Sequence, residues 1–136
     1  MPKKPLLLST PQYRKFTEKV ADQIGGEICE VERKLFPDGE RYQRLVNDVH
    51  ERSVILVGGT TDDSSTLMLY DLACAAVKYG AKRLDVCVPY FGYSTMERAV
   101  KPGEVVTAKT RARLLSAIPY AAMGNHFHLL DLHSEG

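Results

Sequence analysis

The sequence has few cysteines, no long apolar run and almost no net charge, and each shortage excludes something. Cys29, Cys74 and Cys87 are odd in number, far apart and without a CxxC pair. That pattern argues against a disulfide scaffold and for a reduced, cytoplasmic setting. The longest apolar runs are a few residues, against the ~20 that span a bilayer, so no membrane segment is expected. Lys3-Lys4-Pro5 leads only into Leu6-Leu7-Leu8, too short for the core of a signal peptide. Eighteen Lys+Arg against seventeen Asp+Glu leave a formal charge of +1. No global field draws such a chain to nucleic acid or to an anionic surface, and neither is expected as a partner; only local basic patches remain. A phosphate loop with its Lys, a GxGxxG motif, a repeat period and low-complexity tracts are likewise missing.

What is present is one domain's worth of chain: 136 residues, 44% hydrophobic and 26% charged. Strand-like and helix-like stretches alternate. Pro5 to Ser9 is a short apolar run. Thr10 is placed to cap a helix with Pro11 at its first position, and Tyr13, Phe16, Val20 and Ile24 recur at helical spacing until Gly25-Gly26. Glu27–Leu35 and Arg41–Val46 read as two strands around Phe36-Pro37-Asp38-Gly39-Glu40, a hairpin tip with Pro and Gly at the turn positions that favour them. Ser53–Val57 is a buried strand ending in Gly58-Gly59-Thr60. Asp62, Asp63 and Ser64 offer caps for a helix to about Tyr79, with Leu67, Leu69, Leu72, Ala76 and Val77 as its apolar face. Arg83–Val88 is a further strand, Thr107 caps a helix to about Ala117, and Phe127–Leu132 is the last strand. The alternation predicts an α/β layer fold with a mainly parallel sheet flanked by helices and a protruding β-hairpin at the Phe36–Glu40 turn. The last strand runs into His133-Ser134-Glu135-Gly136, where a ligand loop would begin in a parallel sheet, so the chain reads as part of something longer.

Several residues could carry chemistry. Gly58-Gly59-Thr60 passes from strand to helix; it is either a tight turn, the plainer reading, or an anion-holding loop. Alternation sets Asp131 and His133 on one side of a strand at its carboxyl end, where they could hold a divalent cation, act as acid and base, or simply be surface groups. Tyr90, Phe91 and Tyr93 could stack on a base or pack in the core. His126 and His128 could pair on a metal, though ordinary hydrogen-bonded histidines fit the pattern better. Lys109, Arg111 and Arg113 read as a solvated helix stripe, with phosphate or partner contact as the alternative. The connection between Pro89 and Lys109 is long enough to suggest a functional loop.

Taken in order, Phe36-Pro37-Asp38-Gly39-Glu40-Arg41-Tyr42, Pro89-Tyr90-Phe91-Gly92-Tyr93, Thr107-Ala108-Lys109 and Asp131-Leu132-His133 resemble the N-terminal half of ribose-phosphate pyrophosphokinases, from about Leu6 onward. The resemblance implies a phosphoribosyltransferase-like domain over 1–136, followed in the family by a second, similar one. It implies an enzyme that moves the diphosphoryl group of ATP to the 1-hydroxyl of ribose 5-phosphate, yielding phosphoribosyl pyrophosphate for nucleotide biosynthesis, with Mg2+ required. It also implies homo-oligomers, dimers to hexamers, in which one subunit's hairpin completes its neighbour's nucleotide site. Carried across, Phe36 would stack on adenine and Asp38 and Glu40, around Gly39, would meet its polar edge. Glu97 and Arg98 would be the remaining charged ATP contacts. His133 would be the catalytic-site ligand or near-ligand of magnesium.

Ser94-Thr95-Met96-Glu97-Arg98 departs from the family's Ala-Arg-Gln-Asp-Arg/Lys run, placing Thr95 and Met96 where an Arg and a Gln are usual. Lys101-Pro102-Gly103-Glu104 lacks a nearby family Arg, which puts phosphate-type allosteric control in doubt. The mobile Lys-Arg loop and the acidic ribose-phosphate loop of the family's second half do not occur here; Asp62-Asp63-Ser64-Ser65-Thr66 only superficially resembles the latter. The alternative reading is a non-catalytic relative that binds nucleotide or partner subunits and modulates a true synthetase.

Overall fold

The computed structural model describes residues 3–93 and 96–130. Strands β1 (Leu6–Ser9), β2 (Glu27–Ile28), β5 (Ser53–Val57), β6 (Arg83–Val88) and β7 (Asn125–Leu129) form one sheet in the order β2-β1-β5-β6-β7, every pairing parallel. Strands β3 (Val31–Leu35) and β4 (Arg41–Leu45) form a separate antiparallel hairpin. Helix α1 (Arg14–Ile24) crosses from β1 to β2, α2 (Asp63–Lys78) from β5 to β6, and α3 (Thr107–Ser116) from β6 to β7. Right-handed crossovers in opposite directions place α1 on one face of the sheet and α2 with α3 on the other. The expected α/β fold with its protruding hairpin is the observed one.

The core lies on the α2 side. Leu6, Leu8, Val54, Leu56, Leu84, Val86 and Val88 turn to that face, alternating along their strands, and join Leu69, Leu72, Ala73 and Ala76 of α2 with Leu115 and Ile118. Leu7 points the other way, towards Gly26, where a Cβ would come within 2.4 Å of its Cδ1. That close approach requires glycine at 26, whereas Gly25, which ends α1, is required by its left-handed φ of 69°. Asp62 caps α2, its Oδ1 accepting from the Ser65 amide at 2.8 Å.

Several local expectations change. The stretch Glu27–Leu35 is two strands, broken at Cys29-Glu30. The Cys29 amide still donates to Leu7 O at 2.7 Å, but the Glu30 amide turns to Asn47 Oδ1 at 2.9 Å, which carries the chain out of the sheet and into the hairpin. Helix α1 buries Thr17 and Ala21, while Phe16 and Ile24 remain 42% and 48% exposed. Small residues let the helix sit close to β1, and the Thr17 hydroxyl is satisfied by Tyr13 O at 2.7 Å. Thr10 makes no cap; its side chain is buried, with the hydroxyl unpartnered among the described residues. Likewise Val106 rather than Thr107 precedes α3, Leu67 is 52% exposed, and β7 begins at Asn125 rather than Phe127.

Deleting core volume should cost far more than trimming the outer face of α1. Leu56→Ala is expected to lower stability by ~2–5 kcal/mol, and Ile24→Ser by well under that. Chemical denaturation of both variants checks the assignment, and equal losses would contradict it.

Candidate functional site

A parallel sheet delivers all its strand carboxyl ends to one edge, and here the strand order reverses between β1 and β5. Ligands of open α/β sheets bind outside the strand carboxyl ends at such a point. Ser9-Thr10, Gly58-Gly59-Thr60 and Pro89–Tyr93 are the loops that leave this edge. The first two are packed against each other. A Cβ on Gly58 would lie 2.7 Å from Leu69 Cδ1 and 3.1 Å from Thr10 Cγ2, and one on Gly59 would lie 3.0 Å from the Tyr13 ring. The glycines serve close packing of these loops.

The loop over residues 89–106 is anchored at its start. Phe91 is 5% exposed and belongs to the core, so it is not a stacking platform. The Gly92 amide donates to Thr60 Oγ1 at 2.7 Å, inside the protein, and a Cβ on Gly92 would stand 2.0 Å from Thr60 O. Only glycine fits between these two loops. Tyr93 follows with φ of 65°, a left-handed conformation that costs a bulky residue ~1–3 kcal/mol. Its hydroxyl donates to Asp63 Oδ1 at 3.0 Å, and Arg111 Nη2 donates to the same oxygen at 2.9 Å. The Arg111 guanidinium lies 5.0 Å from the Tyr93 ring centroid. The Arg111 and then the Tyr93 hydrogen bonds hold the Asp63 carboxyl below the usual carboxylate range. This depression favours the folded form above the ordinary Asp value of ~3.9 and is lost as pH falls through the lower folded one. Further along, the Met96 amide donates to Tyr93 O at 2.8 Å and the Ala108 amide to Met96 O at 3.2 Å. Glu97 is half-buried and Arg98 exposed on this loop.

The hairpin presents the second group. Gly39 N donates to Phe36 O at 2.9 Å and Phe36 N to Glu40 O at 2.8 Å, closing a three-residue loop in which Gly39 takes φ of 94°. The Glu40 amide donates to Asp38 Oδ1 at 3.0 Å, so one oxygen of that carboxylate is committed to the turn. Phe36 is 42% exposed; its ring meets Tyr42 edge-on at 6.1 Å, and Lys34 Nζ lies 5.3 Å from the Tyr42 ring centroid on the other strand. Between β4 and α2 runs an open groove of about 690 Å3 lined by Tyr42, Leu45, Val46, Leu67, Met68 and Tyr79 among others. A smaller cleft of about 260 Å3 lies between β1, α1 and β3 and includes Arg14 and Arg33. Burial, and then the nearby Arg14 charge, lower the Arg33 pKa from its ordinary value. Neither cleft is lined by Phe36, Asp38, Glu40, Glu97 or Arg98. The expected nucleotide residues thus stand as two groups on two elements.

Elsewhere, His128 Nε2 lies 2.9 Å from Asp85 Oδ1, and Arg83 Nε donates to Asp85 Oδ2 at 3.0 Å, so this histidine has a carboxylate partner across the strands. Burial pushes the Asp85 carboxyl up, and the Arg83 and His128 hydrogen bonds outweigh it, leaving a lowered value. Arg111 is not part of a solvated stripe: it is half-buried and pairs with Asp63 at the surface, whereas Lys109 and Arg113 are exposed. Asp131, His133, Ser94 and Thr95 lie outside the described residues. Among the described residues no three His, Cys, Asp or Glu side chains gather closely enough to hold a metal ion, and no helix is long and apolar enough to cross a membrane. The cysteines are free.

Comparison with known proteins defines the class first. The fold is phosphoribosyltransferase-like: it superposes with a TM-score of 0.85 on phosphoribosylpyrophosphate synthetase from Mycobacterium smegmatis, at 18% identity, over 98% of this chain and 44% of that one. Residues 6–118 match the family model for the N-terminal domain of ribose phosphate pyrophosphokinase. The chain is 34% identical over 117 residues to ribose-phosphate pyrophosphokinase of Methanobrevibacter smithii, covering 85% of this chain and 38% of the relative. It is 38% identical over 104 residues to that of Saccharolobus solfataricus, covering 74% and 35%. The chain belongs to the ribose-phosphate pyrophosphokinase family and corresponds to its N-terminal domain. It spans less than two-fifths of the length of these two relatives.

Sequence reasoning missed Thr60, Asp63 and Arg111 as organisers of the loop. The available signal was the tight packing implied by Gly92 within an otherwise bulky Pro-Tyr-Phe-Gly-Tyr run. Gly92→Ala is therefore expected to destabilise the fold by ~1–3 kcal/mol through overpacking, read as a lowered melting temperature. A melting temperature equal to that of the unaltered chain would contradict the Gly92–Thr60 contact.

Proposed function

We propose that the chain supplies the nucleotide-binding part of an ATP-dependent ribose-phosphate diphosphokinase. In the reaction, the 1-hydroxyl oxygen of ribose 5-phosphate bonds to the β-phosphorus of ATP, the bond from that phosphorus to the α,β-bridging oxygen breaks, AMP leaves, and the hydroxyl proton is released. The observation that carries this reading is the hairpin tip: Phe36, an aromatic half in solvent, held on a two-stranded arm by a turn built for that purpose. Such a ring offers a face for adenine. Glu40 and the uncommitted oxygen of Asp38 offer acceptors for its amino group. The charged loop residues Glu97 and Arg98 belong on the same nucleotide. They sit on a different element from the hairpin, and we propose that a second subunit's hairpin completes the site in a homo-oligomer.

Magnesium would arrive on the ATP phosphates, where it neutralises charge on the transferring group. His133 is proposed to stand at or beside it. Ribose 5-phosphate would be held outside residues 1–136, by a part such as the longer relatives have beyond the matched stretch, and a cytoplasmic setting accords with the free cysteines. Thr95 and Met96, in place of the family's Arg and Gln, favour a second reading: a nucleotide-binding subunit that modulates a catalytic partner. Release of AMP from ATP and ribose 5-phosphate by the complete protein separates the two.

In the assembled protein, Phe36→Ala should weaken ATP binding roughly ten- to hundredfold, the worth of a stacked base at ~1–3 kcal/mol. Calorimetric titration with Mg·ATP measures this. Unchanged affinity would remove the hairpin from the nucleotide site.

A further inference from the structure

We infer that Asp63, Tyr93 and Arg111 form a clamp that positions the Glu97-Arg98 stretch for the nucleotide, Asp63 and Arg111 acting as positioning residues without touching the ligand themselves. The inference rests on the nucleotide reading above. Three segments far apart in sequence meet here: the first residue of α2, the strained residue of the β6–α3 loop, and the second turn of α3. One carboxylate oxygen takes both a phenol and a guanidinium, at 3.0 and 2.9 Å, and the guanidinium also lies over the phenol's ring at 5.0 Å. Each group therefore contacts the other two. The Tyr93 backbone is left-handed and is not held there by its own preference. It is held from both sides: Gly92 is fixed on Thr60, and Met96 is tied to Tyr93 O and to the Ala108 amide.

The clamp is placed to act locally. Asp63 is largely exposed, and exposed ion pairs add little to global stability. What the contacts restrict is the Tyr93 side chain and its backbone, and the Met96 amide on Tyr93 O carries that restriction to Met96 and to Glu97-Arg98 beyond it. Arg111 is thereby withdrawn from the role its place in a basic stripe suggests. Its charge is spent on Asp63 and its face on Tyr93, whereas Lys109 and Arg113 keep theirs to solvent.

The test compares the chain with its Tyr93→Phe, Asp63→Asn and Arg111→Lys variants, and with Arg113→Gln as a control on the same helix. Amide hydrogen exchange is read at Gly92 and at Met96 to Arg98 without nucleotide, the affinity for Mg·ATP is titrated, and melting temperatures are recorded. Exchange at these amides should rise about tenfold in Tyr93→Phe and Asp63→Asn, the loss of a hydrogen bond to a charged group, with Mg·ATP affinity falling by a similar factor. Arg111→Lys, which keeps the charge but not the planar stack, should fall between. Melting temperatures of Tyr93→Phe and Asp63→Asn should fall by only a few degrees, as the loss of one hydrogen bond requires, and the Arg113→Gln control should stay near the unaltered chain in all three readouts. Unaltered exchange in both Tyr93→Phe and Asp63→Asn would overturn the clamp. Faster exchange with unaltered affinity would overturn its positioning role. Failure of the unaltered chain to bind Mg·ATP would overturn the nucleotide reading instead, and with it the purpose assigned to the clamp.

Discussion

The loops at the carboxyl edge of the sheet depend on one contact, Gly92 against Thr60. The amide-to-hydroxyl hydrogen bond of 2.7 Å is made inside the protein, where a buried amide left unpaired would cost more than the bond gains. The same contact presses the Gly92 backbone onto the Thr60 carbonyl so closely that no side chain fits. It locks the loop after β6 to the loop after β5, and through Asp63 to the start of α2. Everything that follows in the chain up to α3 starts from that fixed point. The parallel sheet supplies the loops at one edge; this contact sets their relative position.

The hairpin obeys a different logic. It leaves the sheet at Cys29-Glu30, where Asn47 captures the Glu30 amide, and Val46 returns a hydrogen bond to Glu30 O. Its strands are held by their own ladder and by cross-strand charge pairs such as Glu32 with Arg44. Two strands alone are marginal in water. Packing against α2 supports the base, leaving the tip residues Phe36 to Glu40 in solvent. A rigid sheet edge and an extended arm are what the proposed nucleotide site, shared between subunits, would need.

How much of this was legible in the sequence follows the range of the forces involved. The Phe36–Glu40 turn was legible because Pro37, Asp38 and Gly39 act on their own backbone. The sheet and its flanking helices were legible because alternation and glycine stops are local signals. The exposed face of α1 was not: Phe16 and Ile24 look like core, yet Thr17 and Ala21 are buried because a helix close to a sheet needs small residues. Arg111 looked like part of a solvated stripe because its partner, Asp63, is 48 residues away. The proposed nucleotide residues rest on family resemblance; packing alone shows only an exposed aromatic on an arm.

The central claim is that nucleotide meets this domain at the hairpin tip and at the loop after β6. Backbone amide chemical shifts of the isotope-labelled chain, followed during titration with Mg·ATP, test it most directly. The account predicts that shifts concentrate at Phe36, Asp38 to Glu40 and Glu97-Arg98, with the outer face of α1 unmoved. Saturable shifts confined to the groove between β4 and α2, or no saturable shifts at all, would contradict it.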